Sequence, residues 1–222
     1  MAMSNGHEIA RYYAMRAREY ERVYEKPERQ NDLARLKEIV GPLLASHVVL
    51  EVACGTGFWT QVISEKATFV TALDVSDEVL DIARQKPITE GKVEFKKADA
   101  FRLSQITGQY TAAFAAFWWS HIPKESVTSF LQSLHHPLTS GSLVAFVDNR
   151  YIPGNSTPIT DCDKFGNTYQ TRRLSDGTEH RIIKNYPSKT ELQLNLGAQA
   201  ESFQFQELQY YWYATYRVKK EA

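Results

Sequence analysis

Three acidic residues that could bind a ligand lie at the ends of successive apolar segments: Glu51, Asp74 and Asp99. Glu51 is followed by Gly55 and Gly57, and glycines at such a turn let a ligand approach backbone that a Cβ atom would block. A carboxylate at the position of Asp74 can accept hydrogen bonds from both hydroxyls of a ribose. The pattern favours a ligand with a nucleoside at one end and a positive charge near Glu51.

The glycine turn lacks the residues of two common nucleotide sites. A phosphate loop needs Gly-Lys-Ser/Thr, whereas Gly57 is followed by Phe58 and Trp59. A dinucleotide fingerprint needs a third glycine at position 60, which is Thr. Glu51 favours a cationic ligand end over a pyrophosphate, although Asp74 alone does not separate a nicotinamide cofactor from another nucleoside.

The stretch EVACGTG, residues 51–57, resembles the first motif of the class I S-adenosylmethionine-dependent methyltransferases. In that family the acid lies near the ammonium end of the methionine moiety, often through water, and the glycines pass beneath the cofactor. The segment LDVSDEVLDIAR, which begins at Leu73, resembles the same family. Ala53 stands where the family mostly has Gly, a departure that its small side chain makes tolerable.

The resemblance also implies how the rest of the cofactor is bound. Asp99 would bind the adenine amino group, and Ala100 or Phe101 would pack near the adenine ring. The expected cofactor is S-adenosyl-L-methionine, with S-adenosyl-L-homocysteine as product. The predicted cofactor-binding residues are Tyr13, Glu51, Ala53, Gly55, Thr56, Gly57, Trp59, Asp74, Val75, Asp99, Ala100, Phe101, Phe117 and Trp118.

The segment AAFWWSHIP, residues 115–123, is where the resemblance implies that the acceptor meets the methionine moiety. The rings of Trp118 and Trp119 could face the sulfonium cation, or they could pack in the core. His121 has a near-neutral intrinsic pKa and could act as a general base, or it could be a loop histidine that bonds backbone. Both alternatives remain open at the level of the sequence.

Two further segments are expected to enclose the acceptor. Residues 11–25, RYYAMRAREYERVYE, resemble the segment that closes over the cofactor in small-molecule methyltransferases. They could equally form an amphipathic helix whose aromatic rings pack against the domain. The basic residues after position 168 could bind an anionic acceptor, or they could simply be solvated charges. Arg150 could pair with an acidic acceptor or balance the charge of Asp148. The predicted acceptor-binding residues are Tyr12, Tyr20, Tyr24, Trp119, His121, Arg150, Tyr151, Tyr169 and Arg172, with His121 as the candidate base.

The elements that position these residues alternate between strands and helices, as in a parallel sheet covered on both faces. Helices are predicted at 7–26 and from Pro27 to about Val40. The resemblance implies an α/β fold with a doubly wound, seven-stranded, mostly parallel sheet of order 3-2-1-4-5-7-6. Its first five strands are predicted at 47–52, 69–74, 93–97, 110–117 and 143–147.

The alternation breaks after Asp148. An Asp-Gly turn between β-like runs at 168–174 and 180–185 predicts an inserted antiparallel hairpin. Ser188 and Glu191 predict a helix with a capping box, followed by two closing strands at 203–208 and 212–218. We expect one domain over residues 1–222, with an N-terminal helical lid at 1–40 and an inserted hairpin over the acceptor site at 151–187.

Composition narrows the expected partners. The 222 residues include 26 basic and 26 acidic ones, a balance that argues against a nucleic-acid partner. Two cysteines make neither a disulfide framework nor a zinc site, and no metal is expected. Because the chain lacks a long apolar run and an apolar signal core, we expect no membrane partner and a cytoplasmic protein, as a monomer or homodimer.

The expected activity is transfer of a methyl group to O or N of a small acceptor. Aromatic residues make up 12% of the chain, which suggests an aromatic or apolar acceptor, although rings more often fill cores. The Asn/Asp-Pro-Pro-Tyr-like motif of nucleic-acid amino methyltransferases is replaced by Phe-Trp-Trp-Ser. The alternatives are a protein methyltransferase, a catalytically silent S-adenosylmethionine-binding module and a nicotinamide oxidoreductase.

Overall fold

The computed structural model describes residue 15, residues 17–174 and residues 176–219, without the side chains of residues 17–20. Within these ranges, every helix is too short or too polar to cross a lipid bilayer. The main sheet has seven strands in the order β3-β2-β1-β4-β5-β10-β9. These strands are β1 Val48–Val52, β2 Phe69–Asp74, β3 Val93–Lys97, β4 Tyr110–Ala116, β5 Leu138–Asn149, β9 Ala200–Glu207 and β10 Tyr211–Val218.

The pairing of these strands confirms the predicted sheet. β1, β2, β3, β4 and β5 are parallel, and β10 is antiparallel to both β5 and β9. Numbered without the insertion, the order is the expected 3-2-1-4-5-7-6. The carboxyl ends of β1, β2, β3, β4 and β5 therefore meet at one edge, where sheets of this type bind ligands.

In the part of the chain from residue 17 onward that the structure describes, five α-helices cover the two faces of the sheet: α1 Gln30–Leu43, α2 Phe58–Ser64, α3 Asp77–Ala83, α4 Val127–His135 and α5 Lys189–Leu196. On β4, Ala113 and Ala115 pack with α4 and α5, whereas Ala112 and Phe114 pack with α1, α2 and α3. Because successive side chains of a strand point to opposite faces, this alternation buries β4 on both sides.

The caps of two helices agree with their sequences. The Ser76 hydroxyl accepts a hydrogen bond from the backbone N–H of Val79 at the start of α3. The predicted capping box at the start of α5 is confirmed, since Ser188 and Glu191 each bond the other's backbone N–H. These caps fix where both helices leave the loops that precede them.

The N-terminal segment differs from a continuous helix in its described part. Ala17–Tyr24 is a 3-10 helix, and a second short one, Pro27–Arg29, leads into α1. Pro27 occupies the first turn, where its missing N–H costs nothing. α1 extends beyond the predicted Val40 to Leu43, because Pro42 falls in its last turn and interrupts little of the hydrogen-bond ladder.

The insertion after β5 contains the predicted hairpin and one additional strand. β7 Thr168–Arg173 and β8 Glu179–Ile183 pair antiparallel, and the two-residue β6 Asp161–Cys162 joins β7. The three strands form a sheet of their own, separate from the main one. β6 is too short to show a period-2 pattern, which is why the sequence did not predict it.

Hydrogen bonds attach this second sheet to the loop after β4. The N–H of Asn185, just beyond β8, donates to the carbonyl of Ser120 at 2.7 Å. The Asn185 amide also donates to the carbonyl of Ile122 at 2.9 Å, and the N–H of Lys124 donates to Asn167 Oδ1 at 2.7 Å. The end of β8 is thereby fixed at the carboxyl edge of the main sheet.

Candidate active site

Asp74 and α3 together shape the glycine turn after β1. The N–H of Gly55 donates to Asp74 Oδ2 at 2.9 Å, and the N–H of Ser76 donates to Asp74 Oδ1 at 3.0 Å. Gly57 has a φ of 80°, and a Cβ atom there would lie 3.1 Å from the Cβ of Ala83. Glycine is therefore required at position 57 both by its conformation and by the close approach of α3.

Two non-glycine residues at this edge of the sheet adopt left-handed backbone conformations. Ala53, directly after β1, has a φ of 54°, and Phe117, directly after β4, has a φ of 58°. Such conformations are costly for residues with a Cβ atom and cluster at functional sites. β1 and β4 are neighbours, so the two strained residues end adjacent strands at the ligand edge.

Glu51 is 2% exposed and accepts a hydrogen bond from the Thr60 hydroxyl at 2.6 Å. Burial raises the pKa of Glu51 to about 8. The hydrogen bond from Thr60 lowers this pKa, whereas the charge of Asp74 raises it further. Without a ligand the carboxyl group is therefore mostly protonated at neutral pH. A cationic ligand end beside it would favour the carboxylate.

Asp99 lies beyond β3, and its side chain is exposed. Its Oδ1 accepts a hydrogen bond from the N–H of Phe101 at 2.9 Å, which holds the carboxylate beside that ring. The Phe101 ring contacts Trp118 edge to face, with centroids 5.7 Å apart. Val75, after β2, is exposed. The arrangement offers a carboxylate and two rings to a flat group at this edge.

Two of the predicted ligand-contacting tryptophans pack in the core. Trp59 is 3% exposed and packs against Phe114 with centroids 5.9 Å apart. Trp119 is also 3% exposed and packs edge to face on Phe146 at 5.0 Å. They lie on opposite faces of the main sheet. Of the two alternatives for Trp119, the structure places its ring in the core.

Residues 17–24 lie against the glycine turn. The Thr56 hydroxyl donates to Glu21 Oε1 at 2.9 Å, and Lys86 pairs with the same oxygen at 2.5 Å. The Tyr24 ring stacks on Phe58, with centroids 3.8 Å apart. Tyr12, Tyr13 and the Tyr20 side chain, three of the predicted contacts, lie outside what the structure describes.

His121 is buried in the loop after β4. Its Nδ1 lies 2.8 Å from the carbonyl oxygen of Ile183. Burial lowers the pKa of His121 well below its usual value, and the charges of Lys184 and Arg172 lower it further. The ring is therefore neutral, and because a carbonyl oxygen can only accept, Nδ1 carries the proton and Nε2 the lone pair.

A buried polar group joins the ends of β4, β5 and β8. Asp148 is fully buried, and its carboxylate accepts hydrogen bonds from the N–H and the hydroxyl of Ser120, at 2.8 and 3.0 Å. The Lys184 ammonium donates to the Ser120 hydroxyl at 2.5 Å and pairs with Asp148 at 3.4 Å. Asp148 therefore balances Lys184, and of the two alternatives for Arg150 the pairing with Asp148 is not the one formed, since Arg150 pairs with Glu207.

Several predicted acceptor contacts bond to other parts of the chain. Arg150 pairs with Glu207 at 3.3 Å and donates to the carbonyl of Leu208. The Tyr169 hydroxyl donates to Asp163 at 2.9 Å. Arg172, in contrast, lies close enough to His121 and Lys184 to lower the pKa of each. The Tyr151 ring packs against Tyr186 with centroids 5.2 Å apart.

Arg29 is a further member of this region that sequence reasoning missed. Its guanidinium donates to Asn149 Oδ1 at 3.1 Å and to Asn155 Oδ1 at 2.7 Å. Arg29 also lies near enough to Lys184 to lower the pKa of that residue. Lys184 is a second residue that sequence reasoning missed. It follows the apolar pair Ile182-Ile183, and a lysine that continues an apolar run is the sequence signal that could have indicated a buried cation.

Comparisons with known proteins agree with this geometry. A family model described as a methyltransferase domain matches residues 49–141. A ubiquinone biosynthesis O-methyltransferase from Shewanella halifaxensis is 31% identical over 174 residues, 76% of this chain and 68% of that protein. A demethylmenaquinone methyltransferase from Staphylococcus epidermidis is 28% identical over 102 residues, which span 45% of this chain and only 42% of that relative.

Solved structures of DhpI match the whole fold. Its complex with S-adenosylhomocysteine (SAH) has a TM-score of 0.80 and 29% identity, and covers 100% of both chains. Its complex with S-adenosylmethionine (SAM) and a ligand abbreviated HEP has a TM-score of 0.77 and 30% identity, over 95% of this chain and 96% of that one. The glycine turn, the strand-end acids, the sheet order and these likenesses lead to one conclusion: the chain belongs to the class I S-adenosylmethionine-dependent methyltransferases.

Proposed function

We propose that this protein transfers the methyl group of S-adenosylmethionine to an oxygen or nitrogen atom of a small acceptor. The observation that carries the proposal is the meeting of Glu51, Asp74 and Asp99 at one edge of the sheet, beside the glycine turn. A cation, a ribose and an adenine can be bound there in sequence along the ends of β1, β2 and β3.

Each carboxylate has a proposed part in holding the cofactor. Glu51 faces the ammonium end, where the positive charge offsets the cost of ionising a buried carboxyl group. Each carboxylate oxygen of Asp74 accepts one hydrogen bond, Oδ2 from the N–H of Gly55 and Oδ1 from the N–H of Ser76. Each oxygen can accept a second hydrogen bond, which a ribose hydroxyl would donate. Asp99 accepts from the adenine amino group, with Phe101 beside the ring.

When bound, the cofactor supplies an electrophilic methyl group on a sulfonium sulfur. Glu51, Asp74 and Asp99 would hold the cofactor while this methyl group passes to a lone pair of the acceptor, and SAH would be the leaving group. An acceptor that carries a proton must lose it, and Nε2 of the neutral His121 is the proposed base. The residues around the edge otherwise act by positioning the two reactants and excluding water.

A small acceptor is supported by what surrounds the edge. Residues 17–24 lie against the glycine turn, and the second sheet is fixed beside Ser120. We propose that these two segments form the lid and the roof of the acceptor site. The Tyr151 and Tyr186 rings favour a flat acceptor. Two relatives are named for methylation in ubiquinone and menaquinone chemistry, which also favours a small molecule.

A methyl-transfer screen tests the proposal. The protein is incubated with S-adenosylmethionine labelled in the methyl group and with panels of phenols, amines and carboxylates. We expect a labelled small product together with SAH. Labelling of added proteins alone would support a protein methyltransferase instead. Cofactor binding without labelling of any acceptor would favour a silent binding module.

A further inference from the structure

The acceptor side of the site contains more buried positive than negative charge. Arg29 is 8% exposed and Lys184 is 5% exposed, and Arg172 is partly buried. Asp148, with no exposure, is the carboxylate that pairs with this group. Arg29 and Arg172 both act on the ammonium of Lys184, so the three cations share one region at the end of β4 and β5.

The two arginines bond neutral oxygen atoms. Arg172 Nε and Nη2 both donate to Oε1 of Gln170, at 3.2 and 2.6 Å. Arg29 donates to the side-chain carbonyl oxygens of Asn149 and Asn155. Neither arginine makes an ion pair with a carboxylate in the part of the chain that the structure describes.

The acids near Arg29 in the sequence, Glu28 and Asp32, accept hydrogen bonds from other groups. Glu28 is exposed and accepts a hydrogen bond from the Asn155 amide at 2.9 Å. Asp32 accepts one from the backbone N–H of Tyr210 at 2.7 Å. Asp148 therefore pairs with Lys184 and with neither arginine, and a buried charge without a partner is expensive.

The donors left in this region suit an oxyanion. An ammonium has three N–H donors, and Lys184 uses two of them on Ser120 and Asp148. A guanidinium has five, in a planar fork that fits carboxylate and phosphoryl oxygens. The Tyr186 hydroxyl, which accepts from the Gln170 amide at 2.8 Å, still has its proton to donate. Lys184 and Arg172 both lie near His121, where we place the acceptor, and Tyr186 lies near Arg172.

We propose that the acceptor carries an anionic oxygen group, a carboxylate or a phosphoryl group, which Arg172 and Lys184 bind directly while Arg29 adds a third positive charge. The inference rests on the proposed function, because it assigns the substrate class of the same site. It explains why the second sheet must be present: β7 and the end of β8 bring Arg172 and Lys184 to the main sheet.

The test is a binding titration at constant ionic strength, read by ligand-observed NMR. The probes are benzoate and phenyl phosphate, with benzamide and benzyl alcohol as neutral counterparts of similar shape. Each is titrated into the free protein and into protein saturated with SAH. We expect at least one anion to bind about tenfold or more tightly than either neutral probe. The two anions distinguish a carboxylate from a phosphoryl site.

Variants place the binding at the proposed cations. Arg172→Gln and Lys184→Gln should each weaken binding of the preferred anion by about tenfold or more and leave the neutral probes within about twofold. Arg173→Gln, an exposed neighbour on β7, is the matched control and should change nothing. If buried Lys184→Gln fails to fold, Arg172→Gln, which loses bonds only to Gln170, still decides the matter.

Two outcomes of the binding titration overturn the inference. One is equal affinity of anionic and neutral probes for the wild-type protein. The other is an anion affinity that Arg172→Gln changes no more than Arg173→Gln does. Failure of the proposed function is seen separately, as a wild-type protein that does not bind SAH. Methyl transfer to neutral acceptors alone would support the proposed function and contradict only the inference that the acceptor is anionic.

Discussion

Single residues at the carboxyl edge of the sheet are held in states that only a ligand or the surrounding fold makes tolerable. Glu51 is a carboxyl group buried beside a second acid, and Ala53 has a backbone conformation that suits glycine. His121 is kept neutral by burial and by two neighbouring cations. Each of these local costs can be measured by a substitution at the same position.

Glu51 should make the stability of the ligand-free protein fall with rising pH. Its pKa is about 8 in the folded state, against an ordinary value of 4.5, so the folded protein binds a proton that the unfolded chain has lost. The stability that the protonated Glu51 contributes is fully present below about pH 4.5 and is lost as the pH rises through about 8. Glu51→Gln should flatten this dependence in urea unfolding between pH 5 and 9. Glu65→Gln, at an exposed position, should not, and parallel curves for all three proteins would disprove the assigned pKa.

Ala53→Gly should stabilise the protein, against the usual effect of glycine. A residue with a Cβ atom at a φ of 54° is strained, and glycine removes that strain. After the greater backbone entropy of glycine in the unfolded chain is subtracted, we expect a gain of about 0.5 to 1 kcal/mol in the free energy of unfolding. Ala34→Gly, in the exposed face of α1, should lose about 1 kcal/mol. The same sign for both changes would contradict the strain.

At the scale of elements, the proposed site includes segments outside the parallel sheet. The 3-10 helix Ala17–Tyr24 contacts the glycine turn, and the second sheet carries Lys184 to the end of β5. Segments of this kind can change their position while the main sheet stays folded. They are therefore expected to govern how long a ligand stays bound more than whether the protein folds.

Glu21→Ala should shorten the lifetime of the SAH complex. The change removes the acceptor for the Thr56 hydroxyl and the partner of Lys86, both of which hold residues 17–24 against the glycine turn. A lost hydrogen bond of this type corresponds to a dissociation rate about two- to tenfold faster. Stopped-flow displacement would measure it, with Glu25→Ala at a nearby exposed position as control. Equal rates for the two variants would show that the contact does not retain the ligand.

At the scale of the whole molecule, sequence reasoning reaches furthest where one residue marks the end of one element. Glu51, Asp74 and Asp99 could be placed together because parallel strands end at a common edge and each strand had a readable apolar pattern. The Asp148, Lys184 and Arg29 region could not be found in this way. Arg29 lies 120 positions before its partner Asn149, and Lys184 lies 36 positions after Asp148. Only the docking of the second sheet and of α1 brings them together.

The central claim is that this edge of the sheet binds S-adenosylmethionine through its strand-end acids. Calorimetric titration of SAH, with NADH as the competing nucleoside cofactor, tests it most directly. We predict that the wild-type protein binds SAH and not NADH, and that Asp74→Asn weakens SAH binding about tenfold or more while Asp77→Asn, an exposed acid of α3, does not. Binding of NADH without SAH, or an SAH affinity that Asp74→Asn leaves unchanged, would contradict the account.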